Sequence, residues 1–262
     1  SPTYGGVSWL AHSTLQTGVW VDSQAVYDLV VRTDRLTLSA AFGRAGWRTV
    51  SDVPSNRHPW DVGTSFYHYD TLLDATNVGY RGPSFGYARI PDQYTLKHFA
   101  DQVLAPSDRP VMAELDLVSS HTPWAPLPEL VPWGEVGDGS IYDDQPARSQ
   151  QASEVWKDPK TIQRYYGRSV EYTLGSMLSF LENVDDPNLV VVMLGDHQPA
   201  AVVSGEGASR DVPISIIAKD PAVFDAITDW NWTAGLRPSD ASPVWRMDAF
   251  RDRFFAAYGA AG

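Results

Sequence analysis

The stretch Leu189-Val190-Val191-Val192-Met193-Leu194-Gly195-Asp196-His197-Gln198 decides the reading of the fold. Six consecutive apolar residues, three of them Val, match a strand buried on both faces, which is what a parallel sheet covered by helices contains. The chain is accordingly read as α/β. In open α/β sheets the ligand crevice lies beyond the carboxyl ends of the strands. Asp196 and His197, two side chains able to bind a metal, emerge at such an end. An Asp-His pair also occurs in ordinary turns, so other segments must support a metal site.

With 262 residues and 43% hydrophobic composition, the chain has enough apolar material for one sizeable core, and residues 1–262 are read as a single domain. Its formal charge of -12 is the wrong sign for tracking a polyanionic backbone, so no nucleic acid is expected as a partner. The absence of Cys removes disulfides, thiolate ligands and Cys nucleophiles together. No run of about 18 apolar residues occurs and no signal-peptide series opens the chain, so the chain as given is expected to be soluble. It begins at Ser1 rather than Met, and its start reads as a cut.

Outward from the central stretch, Asp158-Pro159 predicts a helix to about Asn183, since Asp suits the cap and Pro the first turn. Its apolar positions Ile162, Tyr165, Tyr166, Val170, Leu174, Met177, Leu178 and Leu181 recur at helical spacing and predict a face packed on the sheet. Further helices are expected over 7–16, 37–45, 92–104 and 244–258, and further strands over 47–50, 111–118 and 212–218. Residues 54–94 are dense in Gly, Pro, Asn and Asp with no sustained period and read as a functional or pocket-lining region, and residues 126–158 are again loop-rich.

The opening loop places Thr3 just before Gly5-Gly6 and a helix, where free backbone N-H groups can surround an anion. A hydroxyl there can attack phosphorus, and metal coordination would lower its pKa and orient it. Thr3 also suits a simple helix cap. The 10 Trp and 12 Tyr, many in Pro- and Gly-rich stretches, could line a pocket for sugar or a lipid head group or serve ordinary packing.

Four segments carry a resemblance to a known family: Ser1-Pro2-Thr3-Tyr4-Gly5-Gly6-Val7-Ser8-Trp9-Leu10-Ala11-His12, Phe66-Tyr67-His68-Tyr69-Asp70, Ser119-Ser120-His121-Thr122-Pro123-Trp124 and Leu194-Gly195-Asp196-His197-Gln198. In order and spacing the chain resembles the alkaline phosphatase superfamily, in its sulfatase-like branch of lipoteichoic acid synthases and phosphoglycerol transferases. It is most similar to the extracytoplasmic domains of actinobacterial sulfatase-like membrane proteins. The resemblance implies a three-layer α/β/α sandwich with a mostly parallel central sheet, here lacking its first strand. It implies Thr3 as nucleophile, His121 facing the phosphate or leaving group, and Thr3, Asp196 and His197 as ligands of one divalent ion, Mn, Mg or Zn. Tyr67, His68, Trp124 and Arg210 are the candidate substrate-binding residues.

Three departures qualify the resemblance. The acidic ligand that ends the first strand in such enzymes falls upstream of Ser1, so weak metal binding by these 262 residues is expected. At Tyr69 a phenol stands where lipoteichoic acid synthases carry an Arg for the phosphoglycerol phosphate, leaving Arg57, Arg81, Arg89 or Arg210 to reach the anion. Ser209-Arg210-Asp211-Val212-Pro213 lacks the His that precedes Val-Pro in two-metal relatives, which favours one ion. No formylglycine motif of true sulfatases occurs.

The expected activity is a metal-dependent phosphoester transferase or phosphodiesterase of the cell envelope. Its substrate would be a lipid- or glycan-linked phosphoester. The parent protein is placed on the extracytoplasmic face of the membrane, with membrane contact only through segments upstream of Ser1. The alternative is a non-catalytic domain binding a glycan or lipid head group.

Overall fold

Strand β1 (Arg48–Val53) lies at the centre of a three-stranded sheet, and its residues Thr49, Val50, Ser51 and Asp52 are all buried. It pairs in parallel with β2 (Thr71–Asp74) on one side and β3 (Val111–Leu115) on the other, with Val50 opposite Thr71 and Ala113. The computed structural model describes residues 1–105 and 107–259. The chain divides into two compact units, residues 39–185 and residues 1–38 with the chain from 186 onward.

The parallel sheet belongs to the unit of residues 39–185. Helix Asp92–Phe99 connects β2 to β3 and continues as a π-helical turn, Ala100–Leu104. Helix Pro159–Asn183 starts where the sequence says it should: the Asp158 carboxylate accepts the Thr161 N-H at 2.9 Å, and Pro occupies the first turn. Its buried stripe is Ile162, Tyr165, Ser169, Tyr172, Ser176, Met177 and Phe180. That stripe is rotated from the predicted one, leaving Leu178 52% exposed. The helix packs mainly on helix Asp92–Phe99 rather than on the sheet. Beside the stripe Thr173 donates to Asp92 of this partner helix at 2.6 Å, and within it the Ser169 hydroxyl donates to the Tyr166 carbonyl of its own helix at 2.7 Å.

The stretch 54–94 is more ordered than its composition predicts. It contains helix Asp61–Ser65 and strand β2, and Val78, Phe85 and Ile90 join Tyr94, Val136 and Tyr142 in a core cluster. Burying side chains of this size is worth roughly 1.5–3 kcal/mol each, which allows a Gly- and Pro-rich segment to hold one conformation.

In the other unit, strands β4 (Val190–Leu194) and β5 (Ile214–Ala218) pair antiparallel, with Val192 opposite Ile216. The apolar run around Val191 therefore makes a strand as predicted, but its neighbour runs the other way, and Val190 is 44% exposed. An uninterrupted apolar run does not encode the direction of its partner. Helices Ser8–Thr17, Gln24–Val30 and Ala249–Tyr258 complete the unit. Leu38, Ile227, Trp230 and Phe250 form its core, with Val192, Ile214 and Ile216 supplied by the strands. Among the described residues no helix is long and apolar enough to cross a membrane.

Candidate active site

Residues from both ends of the chain meet in the unit that holds Thr3. Tyr4 forms a parallel bridge with Gln198, and the Gly5 N-H donates to the Gln198 carbonyl at 2.9 Å. The segment bearing Thr3 thus runs beside the one bearing Asp196 and His197. Gly5, Gly6 and Val7 all have positive φ, at 70°, 151° and 58°, and this run turns the chain sharply into helix Ser8–Thr17. Only at Val7 does a side chain bear that conformation. Val7, not Thr3, stands at the N-cap, and no side chain caps the helix. Thr3 is 4% exposed, with its N-H on Ser1 Oγ at 3.2 Å and its hydroxyl 3.4 Å from the same oxygen. The simple capping role open to Thr3 in the sequence is therefore ruled out.

His197 is oriented on both sides of its ring. Nδ1 donates to the Gln198 carbonyl at 2.9 Å, which leaves Nε2 with the lone pair. Nε2 lies 3.5 Å from Asp196 Oδ2 and 3.3 Å from Ser8 Oγ, while Asp196 Oδ1 accepts the His197 N-H at 2.9 Å. A carboxylate oxygen and an imidazole nitrogen at this separation, the imidazole held from behind by a carbonyl, have the donor chemistry of a divalent-ion site. Arg210 supports the same region, its guanidinium donating to the Pro2 carbonyl at 2.8 Å. Gln198 Nε2 adds a hydrogen bond to the Asp211 carbonyl.

His121, Tyr67, His68 and Trp124 belong to the unit of residues 39–185. His121 follows β3 in a loop whose root is fixed by an acid. The Asp92 carboxylate accepts the Ser119 N-H at 2.9 Å, and the Asp92 N-H returns a bond to Ser119 Oγ at 3.0 Å. Burial pushes the Asp92 carboxyl up, opposed by the bonds from Thr173 and Ser119. Trp124 is buried, donates to the Ser120 carbonyl at 2.8 Å and stacks on Trp156 at 5.7 Å between ring centres. His121 Nδ1 sits 2.6 Å from the Thr122 carbonyl, and its ring stacks on Tyr87.

Tyr67 is 3% exposed and packs against Trp60, Phe66 and Tyr69, whereas His68 is exposed, with a positive φ of 57°. Tyr69 is also buried and donates to the Glu114 carboxylate; burial, then Glu114, holds its phenol far up. The position expected to carry a cation for the substrate phosphate thus serves the interior of the fold. Arg57, Arg81 and Arg89 are exposed.

Sequence reading missed Asp52. Both its carboxylate oxygens are buried without a hydrogen-bond partner at the carboxyl end of β1, and the residue is 1% exposed. Burial, then Asp116 and Asp74, pushes its carboxyl up to about 7. An acid directly following the alternation Thr49-Val50-Ser51 was the available signal, since it extends the strand beyond Val50 with a charge inside it.

No family model matches the chain, and no curated protein matches it. Solved structures do. A protein in the alkaline phosphatase superfamily from Vibrio parahaemolyticus is 19% identical with a TM-score of 0.53, covering 83% of this chain and 50% of that one. The Streptococcus pyogenes phosphoglycerol transferase GacH, in complex with sn-glycerol-1-phosphate, is 15% identical with a TM-score of 0.53, covering 99% of this chain and 74% of that one. The lipoteichoic acid synthase LtaP from Listeria monocytogenes is 17% identical with a TM-score of 0.48, covering 76% of this chain and 46% of that one. The chain spans about half the length of the Vibrio and Listeria proteins. At these identities the likeness is one of fold: a mixed α/β chain with a parallel sheet and helices, of the alkaline-phosphatase-like kind.

Proposed function

We propose that this chain is the catalytic part of a cell-envelope phosphoester transferase or phosphodiesterase whose nucleophile is Thr3. The pairing of Tyr4 with Gln198 carries the reading, because it sets the Thr3 segment alongside Asp196 and His197. Thr3, Asp196 and His197 would hold one divalent ion, Mn, Mg or Zn. When bound, that ion supplies charge neutralisation and a lowered pKa at the hydroxyl.

In the first half of the reaction Thr3 Oγ1 forms a bond to phosphorus while the bond to the leaving oxygen breaks. The threonine proton is assigned to His121 Nε2, the lone-pair nitrogen, and His121 returns it to the leaving oxygen as that bond breaks, so the proton count closes. In the second half an acceptor hydroxyl or water attacks the threonine ester and Thr3 recovers its proton. The N-terminus of helix Ser8–Thr17, with no side chain across it, favours the anionic oxygens. Transfer of this kind gains chiefly from positioning and charge stabilisation, which these groups supply without a strong base.

The substrate is a lipid- or glycan-linked phosphoester at the extracytoplasmic face of the membrane. A glycerol phosphate group, which the GacH structure holds, is the first to try. With Tyr69 turned inward, and with Trp124 buried and its N-H on the Ser120 carbonyl, anion recognition falls to other groups, Arg210 and His68 among them. The test is turnover of bis(4-nitrophenyl) phosphate by the full-length protein with each of the three ions. Thr3→Ala is expected to abolish turnover with unchanged thermal unfolding. Retained turnover in that variant rejects Thr3 as the nucleophile.

A further inference from the structure

We propose that Tyr87 is a positioning residue for His121, clamping the imidazole face so that Nε2 is presented as a lone-pair nitrogen at a fixed place. The inference rests on the reading of His121 as the group that handles the ester proton, and it adds a residue that no motif indicated. The Tyr87 and His121 rings lie 3.7 Å apart between centres and 18° from parallel. Tyr87 is nonetheless 52% exposed, so its ring serves this contact rather than the interior.

The residue is displayed by a turn built for the purpose. Phe85 and Ala88 pair across it, with the Phe85 N-H on the Ala88 carbonyl at 3.0 Å, and both are buried. Phe85 is fixed further by an edge contact with Tyr142 in the core cluster. Gly86 takes a φ of +61°, and a Cβ there would lie 3.1 Å from the Ala125 carbonyl oxygen and 3.4 Å from Pro123 Cδ. The turn therefore docks directly on the loop that carries His121, and a side chain at 86 would hold it off.

From its own side His121 has two further restraints. Its N-H donates to the Val118 carbonyl at 3.1 Å, and Nδ1 donates to the Thr122 carbonyl at 2.6 Å. Donation by Nδ1 sets the tautomer, leaving Nε2 as acceptor. The Nδ1 bond holds one edge of the ring and Tyr87 covers its face, so the two together limit rotation about the side-chain axis. Aromatic stacking of this kind orients without adding charge.

Two measurements on the whole chain and the full-length protein test this. In NMR spectra of histidine-labelled chain, the His121 ring protons, assigned by their loss in His121→Ala, are expected upfield of solvated histidine through the Tyr87 ring current. Tyr87→Ala should abolish that displacement and Tyr87→Phe should keep it. In turnover of a dialkyl phosphodiester, whose alkoxide leaving group needs the proton that 4-nitrophenolate does not, Tyr87→Ala should lower kcat about fivefold to tenfold with KM within about twofold, a loss of orientation rather than of binding. Tyr87→Phe should restore it. Undisplaced ring protons in the unaltered chain, or ones unmoved in Tyr87→Ala, overturn the clamp. Unchanged kcat in Tyr87→Ala beside a collapsed His121→Ala overturns the positioning role and leaves the Thr3 reading standing. Full turnover in His121→Ala overturns the assignment of His121, and the positioning role with it.

Discussion

The two units hold their candidate groups by different means. In the unit formed by both ends of the chain, main-chain bonds do the holding: Tyr4 bridges Gln198, Gly5 donates to the same residue, and the Gln198 carbonyl orients His197. In the unit of residues 39–185, side chains do it: Asp92 ties the root of the His121 loop, Tyr87 covers the imidazole and Trp124 hangs on Ser120. Main-chain bonds survive substitution of the side chains around them. A loop held by side chains fails at whichever one is removed. In the first unit, then, most variants should change chemistry without changing folding, and in the second the two should move together.

The sharpest test of that contrast is Asp196→Ala. It should lower turnover on the order of 10²- to 10³-fold and remove the rise in melting temperature caused by Mn. The melting temperature measured in chelator should stay put, and a fall there would show that the carboxylate supports the fold. Asp92→Ala should lower stability and turnover together. Leaving the Ser119 N-H and Thr173 hydroxyl unpaired in the interior should cost about 3 kcal/mol in urea unfolding. Loss below about 1 kcal/mol would mean that the loop root is held elsewhere.

Asp52 refines the comparison within one unit, since it is as buried as Asp92 but has no hydrogen bond to its carboxylate. Its folded carboxyl titrates at about 7 against an ordinary 3.8, so between those values the folded state keeps a proton that the unfolded chain has released. Stability from this group is therefore greatest below about pH 4, falls as pH rises toward 7 and is level above. Asp52→Asn should flatten that slope and stabilise the protein at pH 8 on the order of 2 kcal/mol. An unaltered slope in denaturant melts across this range would assign the pH dependence to other groups. The smallest effect belongs to Ser8→Ala. It deletes the 3.3 Å contact with His197 Nε2, and a stability change within about 1 kcal/mol is expected in the same melts. A larger loss would mean that this side chain, rather than the backbone, orients His197.

How much the sequence disclosed depended on the range over which each feature is determined. Asp158-Pro159 was legible because capping is settled within four residues, and the Asp158 bond to Thr161 confirms it. The strands around Val191 and Met112 were legible from their apolar runs. Strand β2 was not. Four residues among Gly, Asp and Asn become a strand only because Thr71 meets Val50, about twenty positions away. Helix Gln24–Val30 went unnoticed because seven residues carry too little periodicity. The antiparallel partner of β4 and the polar stripe of helix Pro159–Asn183 likewise depend on which element lies opposite. Of the candidate site, the Asp196-His197 pair stood out by its place after an apolar run and Thr3 by its place before Gly5-Gly6, while the roles proposed for them come from the resemblance. Tyr87 and Asp52 acquire meaning only from contacts distant in sequence, with His121 for one and with Asp74 and Asp116 for the other.

The bridge between Tyr4 and Gln198 also sets an order of events during synthesis. Residues 39–185 form a contiguous unit that can assemble once they have left the ribosome, whereas the Thr3 segment, made before them, must wait for nearly two hundred more residues before its partner segment exists. The proposed nucleophile is thus made before that unit and seated after it, and a polypeptide halted before residue 198 carries the threonine without the neighbours that would put it to use.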